Sequence, residues 1–418
     1  MTDAIATPNR CGIDTVAIAR IERLLRETPP SGLQQIFSAE ELTHAGDGPG
    51  RAASLAARFA AKEACVKLFA REAALWQIEP QDFSVTNDAY GAPQVVCTER
   101  AAAVLGRHRI GRIALSLTHD AGSASAIALA EPMTTDVSLA GRLLYTLLPL
   151  RRRVILANLE RVFGETVSPA EIVRLAQAHY GHLFRLAGEF LRFRWLSPAQ
   201  KAALVRVENV EPIEFVRAQG KGVLVLTGHF GNWEVATIAG LGQFPWRRGQ
   251  FHFVRRAIKP RWLDALVTRQ FNEAGFGVIS KRGSLDFILE RLAAGDLIVF
   301  PFDQHAGPPD GIEVDFFGHP AWTFKSLAII ALATGAPVVP AAAWREDDGS
   351  HVLRFEAPLA PIECANTTEA IRKNTRAYNE TLERLILRRP EQWYWVHRRW
   401  KSVARRAAGT QRPRGERA

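Results

Sequence analysis

His229 and Glu234 stand five residues apart in Gly228-His229-Phe230-Gly231-Asn232-Trp233-Glu234. A carboxylate beside a histidine fixes the imidazole tautomer and stabilises the imidazolium, which makes a competent general base. Residues five apart do not share a helix face. The pair can therefore meet only if His229 lies in a turn and Glu234 in the first turn of the helix that follows. Asn232 suits the N-cap of that helix, and the flanking glycines allow the tight geometry. A lone His-x4-Glu is by default a satisfied histidine in a strand–helix turn, so its company decides. A second group lies far upstream: Gly12-Ile13-Asp14, then Arg58-Phe59-Ala60-Ala61-Lys62-Glu63-Ala64-Cys65-Val66-Lys67. Glu63 and Lys67 are four apart and share one helix face, as a surface ion pair would. Asp14 could equally cap a helix. Two carboxylates from separate elements could instead converge on Mg²⁺, a hard ion that binds through one or two carboxylates and substrate phosphates.

These residues need elements to position them. Around the first group, the pattern predicts a strand at Cys11–Ile13 and a helix at Ala17–Glu27, apolar at Ile18, Ile21, Leu24 and Leu25. A second helix is expected over Ala52–Phe69. Strands are expected near Phe83–Thr86, Gln94–Val96, Ile113–Leu117 and Ser125–Leu129, which together make a small α+β domain over residues 1–131. Glu131-Pro132-Met133-Thr134-Thr135 reads as a seam. From Lys221 onward, strand-like runs (Val223–Leu226, Leu297–Phe300, Val338–Ala341) alternate with helical stretches, which predicts an α/β domain over residues 132–403. The tail from 404 to 418 is Arg-rich and polar, the composition of a disordered segment.

The bulk composition fits this division. The 418 residues carry a net charge of +10, but residues 1–131 hold 13 basic against 15 acidic side chains and residues 132–418 hold 40 against 28. The basic excess belongs to the second part and suits anionic lipid headgroups, an acidic protein or nucleic acid, or is simply a solvated basic surface. Cys11, Cys65, Cys97 and Cys364 show no metal-finger spacing and read as structural thiols. No secretory signal and no run of 18 apolar residues is visible. Ser326–Trp344 comes nearest, but Gly335, Pro337 and Pro340 interrupt it, as in a core helix running into a strand. Val137–Leu150, followed by Arg151-Arg152-Arg153, is too short to span a bilayer; it could lie at a membrane interface or be an ordinary amphipathic helix.

The upstream group, taken with Asn87-Asp88-Ala89-Tyr90-Gly91-Ala92-Pro93 and Leu115-Ser116-Leu117-Thr118-His119, resembles the holo-acyl-carrier-protein synthase type of 4′-phosphopantetheinyl transferase. The resemblance implies that Asp14 and Glu63 hold Mg²⁺ against the pyrophosphate of coenzyme A. It places Lys67, Arg58 and His119 near the coenzyme and sets Arg20 against the acidic helix of an acyl carrier protein. It also implies a homotrimer. The metal would neutralise charge at the phosphoryl attacked by a carrier serine, and Lys67 would stabilise the leaving phosphate. One departure stands out: the family's short glycine turn after this helix is replaced by Leu68-Phe69-Ala70-Arg71-Glu72-Ala73-Ala74.

The stretch from about 138 to 402 resembles the lipid A biosynthesis (lauroyl/myristoyl) acyltransferases, part of the lysophospholipid acyltransferase-like group. The resemblance rests on Gly228–Glu234, Val254-Arg255 ahead of Pro260, Asp303-Gln304 with Gly307, Phe316-Phe317-Gly318 with Thr323, and the run from Pro390 to Lys401. It implies that His229 takes the proton of a lipid hydroxyl, which attacks the thioester of an acyl carrier protein or coenzyme A. Glu234 would support His229, and Arg255 would hold an anionic headgroup. Asp303 could be structural or shape the site. The aromatic and basic run Trp393–Trp400 is read as packing or interfacial rather than as a nucleic-acid patch.

The expectation is thus a bifunctional bacterial enzyme on the cytoplasmic face of the inner membrane, held peripherally. The altered turn after Lys67 keeps an alternative in view, in which the first domain only docks the carrier for the acyltransferase. A thioester hydrolase would result if water replaced the acceptor.

Overall fold

The computed structural model describes residues 10–69, 77–244, 249–255, 259, 261–280, 283–308 and 310–401. The chain forms two compact units. The first runs to Asp136 and also takes Val162–Ile172; the second comprises Val137–Arg161 and the chain from Val173.

In the first unit, β1 (Cys11–Ala17), α1 (Ile18–Glu27), α2 (Ala39–Ala45) and α3 (Arg51–Val66) precede β2 (Phe83–Asn87) and β3 (Pro93–Cys97). The helix α4 (Glu99–Arg107) and the long hairpin β4 (Ile110–Asp120) and β5 (Ser123–Pro132) complete it. The five strands form one sheet in the order β1-β5-β4-β3-β2, antiparallel throughout. Helix α3 covers one face, which explains its alanines: Ala56, Ala60, Ala61 and Ala64 are fully buried and let the helix approach the sheet closely. The approach is tightest at Gly12, where a Cβ would collide with the Ala64 carbonyl oxygen. Several boundaries differ from the pattern-based expectation: the helix expected to reach Phe69 ends at Val66, and the strands run longer than expected. Ala17 ends β1 instead of opening the helix, because β1 pairs with β5 as far as Ala17 opposite Ser123. The expected seam also begins inside β5, which runs on to Pro132.

Three helices follow, α5 (Leu139–Leu147), α6 (Arg152–Phe163) and α7 (Pro169–Phe193), which belong to the second unit except for the end of α6 and the first turn of α7. There follow β6 (Val205–Glu208), β7 (Val223–Thr227), α8 (Trp233–Leu241), β8 (Phe251–Arg255), α9 (Arg261–Glu273), β9 (Gly277–Ser280), α10 (Leu285–Ala293) and β10 (Leu297–Pro301). A small hairpin, β11 (Gly311–Phe316) with β12 (His319–Phe324), leads to α11 (Ser326–Thr334), β13 (Val338–Arg345), β14 (His351–Phe355) and α12 (Thr367–Arg388). The main sheet runs β6-β14-β13-β7-β10-β8-β9, parallel from β13 to β9, with β14 antiparallel to β13. Its central strands are near-continuous apolar runs because both faces are covered; Val223, Leu224, Leu226, Leu297 and Ile298 are fully buried. Ser326–Trp344 is a helix followed by a strand, as its interrupting glycine and prolines require. No described helix is long and apolar enough to cross a membrane.

Candidate active sites

In the second unit the site is set by register. Strands β7 and β10 are parallel neighbours with Thr227 opposite Pro301. The residues two places beyond each, His229 and Asp303, therefore emerge level at the carboxyl ends of adjacent strands, where open α/β sheets place their ligands. The His229 ring Nδ1–H donates to Asp303 Oδ1 at 2.8 Å, and its backbone N–H donates to Asp303 Oδ2 at 2.8 Å. The Trp393 indole N–H adds a third donor to Oδ2 at 2.8 Å. Burial alone would push the Asp303 carboxyl up, but the charge and hydrogen bonds of His229 outweigh it and hold the group well below the usual range. Burial would likewise lower the His229 imidazole, yet Asp303, with a smaller contribution from the Glu234 charge, raises it above its ordinary value.

The turn between them is built as the sequence requires. Asn232 caps α8, its side chain accepting from the Val235 N–H at 3.3 Å. Gly231 has φ +53°, and a Cβ there would meet the Ala343 carbonyl oxygen at 2.8 Å, so both conformation and space call for glycine. Beneath it, Asn232 donates to Glu189 Oε2 at 2.9 Å, and Glu189 binds Arg345 through two 2.6 Å hydrogen bonds. Asn232 and Arg345 are buried and Glu189 is partly exposed, and this polar set holds the turn in place.

Glu234 lies in the first turn of α8, as expected, but the carboxylate that bonds to the His229 ring is Asp303. Glu234 acts on His229 through charge, and burial raises its own carboxyl against the pull of His229 and Arg255. Arg255 donates to Asp264 Oδ1 at 2.5 Å and Thr268 Oγ1 at 2.8 Å, so α9 already holds its guanidinium. Trp233, Tyr394 and His397 stand round the His229 ring, with centroids 5.0, 6.1 and 5.7 Å away. Trp393, Trp395, Arg399 and Trp400 are buried, so the late aromatic and basic run is mainly core, with Tyr394 and His397 turned toward the site.

In the first unit, Gly12 seats β1 against α3 and thereby brings Asp14 near Glu63. Burial raises the Glu63 carboxyl, and repulsion from Asp14 raises it further, against Lys67 and Arg20. Lys67 Nζ donates to Asp14 Oδ1 at 2.6 Å and to the Ile13 carbonyl at 3.1 Å. Two mutually repelling carboxylates are a donor set that suits a magnesium ion with phosphate oxygens as its other ligands. Among the described residues, no cluster of three or more potential metal-ligating side chains occurs.

His119 is exposed near the end of β4; its register partner Ala124 is also that of Val16, so His119 lies on the sheet face of Asp14. Arg20 is exposed in α1, its guanidinium 5.3 Å from the centre of the Phe59 ring. Arg58 is buried and donates to Ser54 Oγ at 2.5 Å. The motif's Lys62, unassigned in the sequence, is structural. It is buried in an ion pair with Glu41 at 2.8 Å and donates to the Phe83 carbonyl at 2.6 Å. Leu68 and Phe69 are buried, and residues 70–74 of the altered turn lie outside the described residues.

Comparison with known proteins assigns a family to each part of the chain. Residues 127–402 match the bacterial lipid A biosynthesis acyltransferase family. Residues 10–118 match the 4′-phosphopantetheinyl transferase superfamily. The second part is similar to the lipid A biosynthesis lauroyltransferase of Escherichia coli, 25% identical over 269 residues, covering 63% of this chain and 83% of the relative. It is also similar to a phosphatidylinositol mannoside acyltransferase of Mycolicibacterium smegmatis, 23% identical, covering 58% of this chain and 77% of the relative. The first part is 38% identical over 122 residues to the holo-[acyl-carrier-protein] synthase of Moorella thermoacetica, covering 29% of this chain and 91% of the relative. The chain is a transferase that belongs to the bacterial lipid A biosynthesis acyltransferase family and carries a 4′-phosphopantetheinyl transferase superfamily domain at its N-terminal end.

Proposed function

We propose that the second unit transfers an acyl chain from an acyl carrier protein or coenzyme A thioester to the hydroxyl of a lipid. The observation that carries this reading is the Asp303-oriented His229 ring. With Nδ1–H engaged by Asp303, the neutral ring keeps its lone pair at Nε2, the nitrogen that takes the hydroxyl proton. Asp303 then stabilises the imidazolium, and Glu234 adds a second negative charge nearby. The ring returns its proton to the departing thiolate. Arg255, anchored by Asp264 and Thr268, is a fixed positive charge for an anionic headgroup. Thiol release from dodecanoyl-coenzyme A with lysophosphatidylethanolamine as acceptor, with the acylated lipid weighed, tests the reaction; His229→Ala must abolish it. Free fatty acid as the sole product would instead make the unit a hydrolase.

The first unit, in the same proposal, moves 4′-phosphopantetheine from coenzyme A to an apo acyl carrier protein. Asp14 and Glu63 would hold Mg²⁺, which when bound neutralises charge on the phosphates. Lys67 stabilises the leaving phosphate, Arg20 on the exposed face of α1 meets the acidic carrier, and His119 serves the coenzyme side, with Arg58, buried and bonded to Ser54, supporting it from within α3. The sheet face opposite α3 exposes Ile13, Ile127 and Leu129, which suits burial in a homotrimer. Both units would act on one dedicated carrier, the first installing its arm and the second unloading its cargo. Acyl transfer from coenzyme A thioesters alone would contradict that link.

The second unit is proposed to work at an anionic membrane surface, the cytoplasmic face of the inner membrane. Leu139, Leu143 and Leu147 form an exposed stripe on α5, and Leu148 and Leu150 extend it. Arg142, Arg151 and Arg153 lie beside them, the arrangement of an interfacial helix.

A further inference from the structure

Gln304 follows Asp303 directly, and its side chain spans two rings. Its amide nitrogen lies 3.3 Å from His229 Nε2 and 3.3 Å from His397 Nε2. An amide nitrogen only donates, so both ring nitrogens accept from it. For His229 this agrees with the Asp303 contact: Nδ1 carries the proton, and Nε2 is the bare base. For His397, burial, reinforced by the charges of His229 and Arg151, lowers the imidazole to about 4, so it stays a neutral acceptor. Gln304, His229 and His397 are each partly exposed, so solvent, and hence a substrate, can reach the contact.

The acyl-transfer mechanism above leaves this contact unused. In it, a hydroxyl must replace the Gln304 N–H at His229 Nε2. The displaced N–H is then a free donor beside the reacting atoms, while the other N–H stays anchored on His397. We infer that Gln304 is the oxyanion donor of the acyl-transfer site and that His397 is the positioning residue that holds it. The inference rests on the acyl-transfer reading of this unit.

The electron and proton balance closes within these groups. As His229 Nε2 takes the hydroxyl proton, the oxygen forms a bond to the thioester carbon. The carbonyl π pair moves to its oxygen, which accepts the Gln304 N–H. That pair then re-forms the carbonyl, the C–S bond breaks, and the thiolate takes the proton from His229. A donor aimed where charge develops contributes to kcat and little to substrate binding.

The test measures thiol release from dodecanoyl-coenzyme A, with lysophosphatidylethanolamine or water as acceptor, in Gln304→Leu, Gln304→Glu and His397→Phe. Circular dichroism melts first confirm that each variant is folded. Gln304→Leu is expected to lower kcat by about 10²–10³-fold, the usual loss for one oxyanion donor. Its KM should stay within about threefold of the wild type. Gln304→Glu keeps the shape without the donor and should lose as much, and His397→Phe should lose less. A kcat within about threefold of the wild type in Gln304→Leu, or a loss confined to KM, overturns the inference. NMR of ¹⁵N-labelled histidines decides the contact without the reaction: the His229 Nε2 resonance must move in Gln304→Leu, and an unmoved resonance overturns the inference. A wild-type chain that released no thiol would overturn the acyl-transfer reading, and the NMR result would still stand for or against Gln304.

Discussion

Asp303 and His229 each lie two residues beyond the ends of adjacent parallel strands, and the pairing of Thr227 with Pro301 makes them meet at 2.8 Å. The carboxylate accepts three hydrogen bonds, from the His229 ring, the His229 backbone and the Trp393 indole. It is therefore an orienting group that cannot be replaced by an amide without inverting the ring's donor. Asp303→Asn is expected to lower kcat by about 10³–10⁴-fold, the loss when a base is held in the wrong tautomer. Steady-state thiol-release kinetics check it, and near-normal kcat would assign the role elsewhere.

The same pair sets the pH profile. Asp303 raises the His229 imidazole, and a general base works only unprotonated, so kcat/KM should rise with pH through an inflection above 6.5. Removing the Asp303 charge leaves burial to act on the ring, so residual activity in Asp303→Asn should show its inflection at lower pH. Glu234→Gln should move it the same way by less, since its charge is the smaller of the two effects.

Much of this site was legible in the sequence, and its central contact was not. The turn at Gly228–Glu234, the Asn232 cap and the strand Val223–Thr227 follow from local rules of turn, cap and apolar run. Which carboxylate reaches His229 depends on strand order: β10 lies beside β7, while β8, earlier in the chain, lies beyond it. No spacing rule contains that order. The only local hint was that Asp303 follows one buried apolar strand as His229 follows another. In the first unit the helix bearing Lys62 and Glu63 was legible from its pattern, but the division of labour between Lys62 and Lys67, the residue that caps its C-terminal end, was not. It follows from the face of α3 that meets the sheet, which buries Lys62, and from the end of the helix at Val66, which leaves Lys67 exposed.

Lys62 and Lys67 should accordingly fail in different ways. Lys62→Met leaves Glu41 charged and buried without its partner, which costs about 3–5 kcal/mol. The unfolding transition of the first unit should shift in a urea melt of the whole chain, with acyl transfer retained. Lys67→Ala should leave that transition in place and reduce phosphopantetheine transfer by about 10²–10³-fold.

The proposed membrane attachment through α5 should depend on both its leucines and its arginines. In sedimentation with vesicles, the chain should bind phosphatidylglycerol-containing membranes better than pure phosphatidylcholine and release as salt rises, because screening shortens the reach of exposed charge. Replacing Leu139, Leu143 and Leu147 with serine should abolish binding while leaving thiol release from dodecanoyl-coenzyme A intact. Unchanged binding would place the attachment elsewhere.

The most direct test of two working sites in one chain is the mass of an apo acyl carrier protein after incubation with the full-length protein, coenzyme A and Mg²⁺. A phosphopantetheine mass gain is expected that disappears in Asp14→Ala and Glu63→Ala and survives in His229→Ala. No gain with the unsubstituted chain, while the second unit still uses an acylated carrier, would contradict it and leave the first unit a docking module.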